Sequence, residues 1–111
     1  MIEIHKINNE CNNDGIIDVG VFDKDELIAD ASYIIEQDYL KILNFSCKTF
    51  DVFIADSLIK TLLFYADIAK IQYVQFDLKH EQFFEKYKYS VKNDKCILDL
   101  FEQNLKCHCE Q

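Results

Sequence analysis

The chain has 111 residues and a net charge of −8, and all 12 of its basic residues are lysines. Half of the residues are hydrophobic and 29% are charged, so a single globular domain is expected and a disordered chain is excluded. An acidic chain without arginine lacks both the concentrated basic face of a nucleic-acid binder and the guanidinium fork that grips phosphates and carboxylates.

No apolar run has the length of a membrane span, and MIEIHKINNE does not have the pattern of a secretory signal. A cytoplasmic protein with no membrane partner is therefore expected. The run IEIHKI (2–7) forms a first strand, with Ile2 and Ile4 on one face and Glu3 and His5 on the other. NNECNNDG (8–15) is a polar connection ending in the first of two glycines. Ile17, Val19 and Val21 alternate in the next strand (16–23). After an acidic turn at Asp23–Glu26, Leu27, Ala29, Ala31, Tyr33 and Ile35 fall on one side of a third strand, completing a hairpin. A tight turn at Glu36–Asp38 leads to YLKILNFSC (39–47), which is apolar on both faces, as a central strand is.

Ile54, Leu58, Leu62, Tyr65, Ala66 and Ala69 recur at spacings of three and four, predicting a helix to about residue 70 with Thr49 or Asp51 as its N-cap. YVQFDLK (73–79) alternates again, burying Val74, Phe76 and Leu78. Strand, helix and strand then make a parallel pair with a right-handed crossover. HEQFFEKYK (80–88) reads as a short helix with Phe83, Phe84 and Tyr87 inward, and 89–102 as a closing hairpin turned at Asn93–Asp94. The order predicts an α+β fold: a mixed sheet of about six to seven strands with two main helices. It forms one domain over 1–106, followed by a polar tail at 107–111.

Five cysteines (Cys11, Cys47, Cys96, Cys107 and Cys109) are an odd number in a chain without an export signal, so free thiols are expected. Cys107, His108 and Cys109 supply two or three zinc ligands where four are wanted. No metal is expected; were one bound, Cys107 and Cys109 are the candidate ligands, completed by Cys96 or Cys11. Cys47 reads as a small core residue, His5 as a surface strand position and His80 as the first residue of a helix. Phe64, Tyr65, Phe83 and Phe84 read as core.

The run from Tyr39 to Tyr89 resembles the core of the GNAT-type N-acetyltransferases. The likeness rests on the helix–strand unit DSLIKTLLFYADIAKIQYVQFD (56–77) and on FFEKYKY (83–89), which is similar to the aromatic-Glu-Lys-x-Gly-Phe end of that core. It implies that acetyl-CoA lies along the central strand, with its pyrophosphate on backbone N–H groups of an Arg/Gln-x-x-Gly-x-Gly/Ala loop opening the helix. Laid on this chain, the basic position falls at Phe50 and the loop positions at Asp51, Phe53 and Ala55. The candidate cofactor contacts are the backbones of Phe45, Cys47, Val52, Phe53, Ile54 and Ala55.

Three departures from the family follow. The loop has no glycine, so it should not take the left-handed backbone that glycine permits. Asp51 and Asp56, the latter placed in the first helical turn, bring negative charge to the phosphate position, with Lys48 and Lys60 to offset it. The tyrosine that protonates the leaving thiolate falls at Phe84, leaving Tyr87 as the candidate donor, and the following glycine is Lys88. Finally, about eight polar residues stand in for the two helices the family places between strands one and two. That leaves an open acceptor cleft unless a partner chain, such as the second copy of a homodimer, fills it.

The resemblance implies a protein related to acyl-CoA N-acyltransferases with a degraded pyrophosphate loop, acting on a small-molecule or protein amine. In such a reaction water or a nearby base deprotonates the amine, and backbone N–H groups of the central strand polarise the thioester carbonyl. Two alternatives stand beside it: a non-catalytic binding or dimerisation module on the same fold, and a metal- or redox-responsive protein using the C-terminal cysteines.

Overall fold

The computed structural model describes residues 2–7, 15–48 and 52–101. Seven strands form one mixed sheet: β1 (Ile2–Lys6), β2 (Ile17–Asp23), β3 (Glu26–Glu36), β4 (Tyr39–Cys47), β5 (Tyr73–Asp77), β6 (Ser90–Lys92) and β7 (Lys95–Asp99). Their spatial order is β1-β2-β3-β4-β5-β7-β6, and β4 with β5 is the parallel pair, joined by the helix α1 (Val52–Ile68). A 3-10 helix (Leu78–Phe84) follows β5. This is the α+β plan expected from the order of elements, with the strand count at the upper end of the expectation.

The alternation of β2, β3, β4 and β5 delivers Val19, Val21, Ala29, Ala31, Tyr33, Leu40, Ile42, Val74 and Phe76 to one sheet face. Leu58, Ile59, Leu62 and Ala66 of α1 close over them, each fully buried. Helix α1 ends two residues before the predicted limit. Ile71 N–H donates to Ala66 C=O at 2.8 Å and Lys70 N–H to Asp67 C=O at 3.0 Å, with Lys70 at φ 60°. This pair of bonds around a left-handed residue is a Schellman cap, and it leaves Ala69 exposed rather than on the buried stripe.

Two bulges redirect side chains. In β3, Val21 faces Ala29 while Phe22 faces Leu27, so Ile28 is the extra residue. In consequence Leu27 leaves the Ala29–Tyr33 row and lies over Gly20, where a β-carbon would come within 2.8 Å of its Cδ1. In β4, Ser32 faces Asn44 while Tyr33 faces Ile42, so Leu43 is extra. Ile35, expected in the same row, is exposed at the strand end.

The second helix also differs from expectation. Asp77 ends β5 because its side chain accepts the Lys79 N–H at 3.0 Å, capping a helix that begins at Leu78 rather than His80. It closes at Phe84, and Tyr87 lies in the turn beyond, its N–H donating to Phe84 C=O at 3.0 Å. A 3-10 helix superposes residues three apart, which sets His80 and Phe83 on one side. The closing hairpin turns at Asn93–Asp94 as expected. Residues 8–14, 49–51 and 102–111 lie outside the described residues; they include most of the first connection, the predicted caps Thr49 and Asp51, and the Cys107–Cys109 tail.

Candidate functional site

The sheet opens at its centre. β4 and β5 pair only at Tyr39–Tyr73, Leu40–Val74 and Lys41–Gln75. Beyond that point β4 stays paired with β3 as far as Cys47, and β5 with β7 as far as Asp77. The Leu43 bulge stands just past the last β4–β5 pair, where an extra residue bends a strand and increases its twist. From Ile42 on β4 and Phe76 on β5, the two facing backbone edges therefore border a wedge rather than a ladder. Backbone N–H and C=O groups need partners, and an extended ligand carrying amides is a natural complement to such edges. α1 begins at the open end of the wedge.

Aromatic rings line the wedge. Phe45, on the unpaired stretch of β4, has its ring centroid 4.8 Å from that of Phe83, 5.8 Å from Phe84 and 6.3 Å from His80. Phe84 is fully buried and stacks on Phe76 of β5 at 3.8 Å. His80, expected as a simple helix-start position, is only 7% exposed, and its Nε2 has no hydrogen-bond partner. Burial holds its pKa below the ordinary 6.5; the Lys79 charge adds to that and Asp77 opposes it. The balance favours the uncharged ring.

A second cluster joins α1 to the turn after the 3-10 helix. Tyr87 Oη donates to Asp56 Oδ1 at 2.7 Å, while Lys60 Nζ and Lys86 Nζ lie 3.1 Å and 3.0 Å from Asp56 Oδ2. Burial works against the Asp56 carboxylate, but the Tyr87 hydrogen bond and the two lysines outweigh it and hold the group below the usual carboxylate range. Two expectations change here. Asp56 sits in the second turn of α1, not the first, and its charge is more than matched by Lys60 and Lys86. Tyr87 packs partly buried against the core, as expected, and its hydroxyl is tied to Asp56.

The other predicted positions separate along α1. Val52 and Phe53 are exposed, Ile54 is partly buried against the core, and Ala55 is buried under the sheet-facing side. Cys47 ends β4, half-buried against the core. Cys96 is fully buried opposite Phe76, and burial pushes its thiol pKa up, which disfavours thiolate chemistry. Phe64 is exposed on α1 rather than part of the core, whereas Phe83 and Tyr65 pack against it. Tyr65 also carries the Lys6 ammonium over its ring at 4.9 Å. His5 is a surface residue, as expected, stacked on Phe22 at 4.7 Å. Among the described residues no three His, Cys, Asp or Glu side chains gather at metal-binding distance, and no helix is long and apolar enough to cross a membrane.

Sequence reasoning missed His80 and Lys86. The spacing of three between His80 and Phe83 is the one trace of the first. Lys86 reaches Asp56 from thirty residues away, and no local pattern encodes that.

Solved structures identify the architecture. A probable acetyltransferase from Staphylococcus epidermidis superposes with a TM-score of 0.75 at 14% identity, over 89% of this chain and 99% of that one. An N-acetyltransferase from Staphylococcus aureus gives 0.71 at 16% identity, over 91% and 99%. The PaiA N-acetyltransferase of Thermoplasma acidophilum, solved in complex with coenzyme A, gives 0.62 at 14% identity, over 76% of this chain and 59% of that one. No family model matches the sequence, and no curated protein matches it significantly. The chain has the GNAT acetyltransferase fold. Both staphylococcal chains are matched along nearly their whole length.

Proposed function

We propose that this protein binds an acyl-CoA thioester in the wedge between β4 and β5 and transfers the acyl group to an amine. The parting of the two strands after Lys41 and Gln75 carries this reading, because two strand edges that no longer pair with each other leave room for an extended amide-bearing arm. The thioester's diphosphate end then lies toward the start of α1, where the helix dipole favours an anion. Lys60 and Lys86 supply two positive charges near there, both paired with the Asp56 carboxylate, in place of the glycine-rich loop that this chain lacks. In the transfer, the amine nitrogen attacks the thioester carbon and loses its proton. The C–S bond breaks, the acyl group stays on nitrogen, and CoA leaves as a thiolate that takes up a proton.

A second reading, a module that holds the thioester without transferring the acyl group, is favoured by one observation. Phe84, at the family's thiolate-protonating position, has no hydroxyl, and the Tyr87 hydroxyl is already donated to Asp56.

Thermal unfolding with acetyl-CoA tests the shared part of both readings. A ligand that binds only the folded state at a hundred times its Kd stabilises by about 2.7 kcal/mol, a shift of several degrees for a domain this small. An unchanged Tm in millimolar acetyl-CoA removes both readings. If Tm rises, thiol release with a panel of primary amines separates them: release supports transfer, and its absence leaves the holding module.

A further inference from the structure

We infer that the acceptor amine is the N-terminal amine of a polypeptide, whose first residues lie in a trough on the sheet face opposite α1. This rests on the acyl-CoA reading above and names the class of its acceptor. Alternation turns Tyr39, Lys41, Tyr73 and Gln75 away from α1, because Leu40, Ile42, Val74 and Phe76 beside them are buried beneath it. A cavity of about 450 Å³ opens on that face where β4 and β5 part, bounded by Ile34, Lys41, Leu43, Gln75 and Asp77. Ile42 and Phe76, from the α1 side of the sheet, also line it, so it reaches through the gap between the strands into the wedge. A second cavity, of about 710 Å³, shares Glu36, Lys41 and Gln75 with the first. It continues to Tyr39, whose ring stacks on Tyr73 at 5.4 Å.

The shape fits an extended chain and not a small amine. Small-molecule sites are concave and bury most of their ligand. Here, among the described residues, the whole lining of both cavities comes from the sheet and the β3–β4 turn, a floor without a roof. From Leu43 to Tyr39 the floor runs about 13 Å, the span of about four extended residues. It leads away from the parting in one direction, which puts the reacting nitrogen at the end of its occupant; a lysine within a chain needs room on both sides. Leu43, 47% exposed, and Ile34 give an apolar wall for the first side chain. Gln75 and Gln37 offer amide donors and acceptors to a peptide backbone. The Glu36 and Asp77 carboxylates are matched by Lys41 at 2.9 Å and Lys95 at 3.5 Å, so the floor holds no surplus negative charge for a polyamine.

Thiol release from acetyl-CoA tests this with four acceptors. They are leucine amide, a tetrapeptide amide beginning with leucine, an N-terminally blocked peptide with one internal lysine, and spermidine. The tetrapeptide should show a kcat/KM at least tenfold above that of leucine amide, which carries the same amine and first side chain. The blocked peptide and spermidine should be poor acceptors. Y39A and Q75A should each lower the tetrapeptide-to-amide ratio at least threefold, through KM; a fold defect lowers both rates and leaves the ratio. A ratio that neither variant lowers overturns the trough as its cause. Equal kcat/KM for tetrapeptide and leucine amide, or faster release with spermidine or the internal lysine, overturns the inference and leaves acyl transfer standing. Acetyl-CoA that raises Tm but is released to none of the four overturns it in favour of the holding module. Protein that binds no acetyl-CoA overturns the acyl-CoA reading, and the inference with it.

Discussion

Tyr87 and Asp56, thirty-one residues apart, meet at 2.7 Å, the phenol donating to a carboxylate that also holds Lys60 and Lys86. The bond fastens the end of the 3-10 segment to the start of α1, the two elements that border the wedge at its open end. Hydrogen bonds to a charged group contribute about 1.5–3 kcal/mol, so Y87F should cost on the order of 1–2 kcal/mol in urea unfolding. The pH signature follows from the sign of the shift. Asp56 has a folded pKa below 3.8, so its contribution is present above that value and is lost as pH falls through the folded one. Y87F should shrink this acid-side loss, and an unchanged acid limb would remove Tyr87 from the cluster's energetics.

Phe84, where the sequence resemblance would put a thiolate-protonating tyrosine, is fully buried and stacked on Phe76 at 3.8 Å. F84A should therefore destabilise by about 3–5 kcal/mol, the cost of emptying an aromatic core position. F84Y is the sharper variant. Its hydroxyl enters a fully buried, closely packed position and should cost about 1–3 kcal/mol with no gain in thiol release from acetyl-CoA. A gain in release would mean that this ring reaches the reacting sulphur, and Phe84 would then be a lost catalytic position instead of a core residue.

The strands and α1 were legible because their burial is periodic: Val19, Val21, Ala29 and Ala31, or Leu58, Leu62 and Ala66, repeat as their elements require. Leu27 was misplaced because a single-residue bulge at Ile28 breaks that period without changing composition, and Ile35 because the end of β3 is left uncovered. The strand–helix–strand frame around the wedge was readable from the order of elements. Its occupants were not, because Lys86 with Asp56 and His80 with Phe45 are pairings between distant segments. Lys24, Asp25, Gln37, Lys70, Asn93 and Asp94 all have positive φ, so the missing glycines in the helix-opening loop do not by themselves forbid such a turn.

His80 gives the stability a dependence near neutrality. Its folded pKa lies below 6.5, so folding favours the uncharged ring. Stability is then fully present above 6.5 and is lost as pH falls from there through the folded value. Tm measured from pH 8 to pH 5.5 should decline across this window in wild type and decline less in H80F. Parallel Tm profiles for the two proteins would show that His80 titrates as it does in the unfolded chain.

Lys70 offers the clearest stabilising change. It holds φ 60° at the end of α1, a conformation that costs a residue with a β-carbon about 1 kcal/mol and costs glycine almost nothing. Its N–H and that of Ile71 close the Schellman bonds through backbone atoms alone, so glycine keeps both. The position is exposed, and no ion pair of the Lys70 side chain is described, so little is lost with it. Glycine's greater freedom in the unfolded chain offsets part of the relief. K70G should therefore raise stability by about 0.5–1 kcal/mol, read as a higher urea midpoint at unchanged m-value. K70A, which retains the β-carbon, should leave the midpoint near wild type. If K70A stabilises as much as K70G, the gain comes from the lost lysine side chain and the strain assigned to this backbone is wrong.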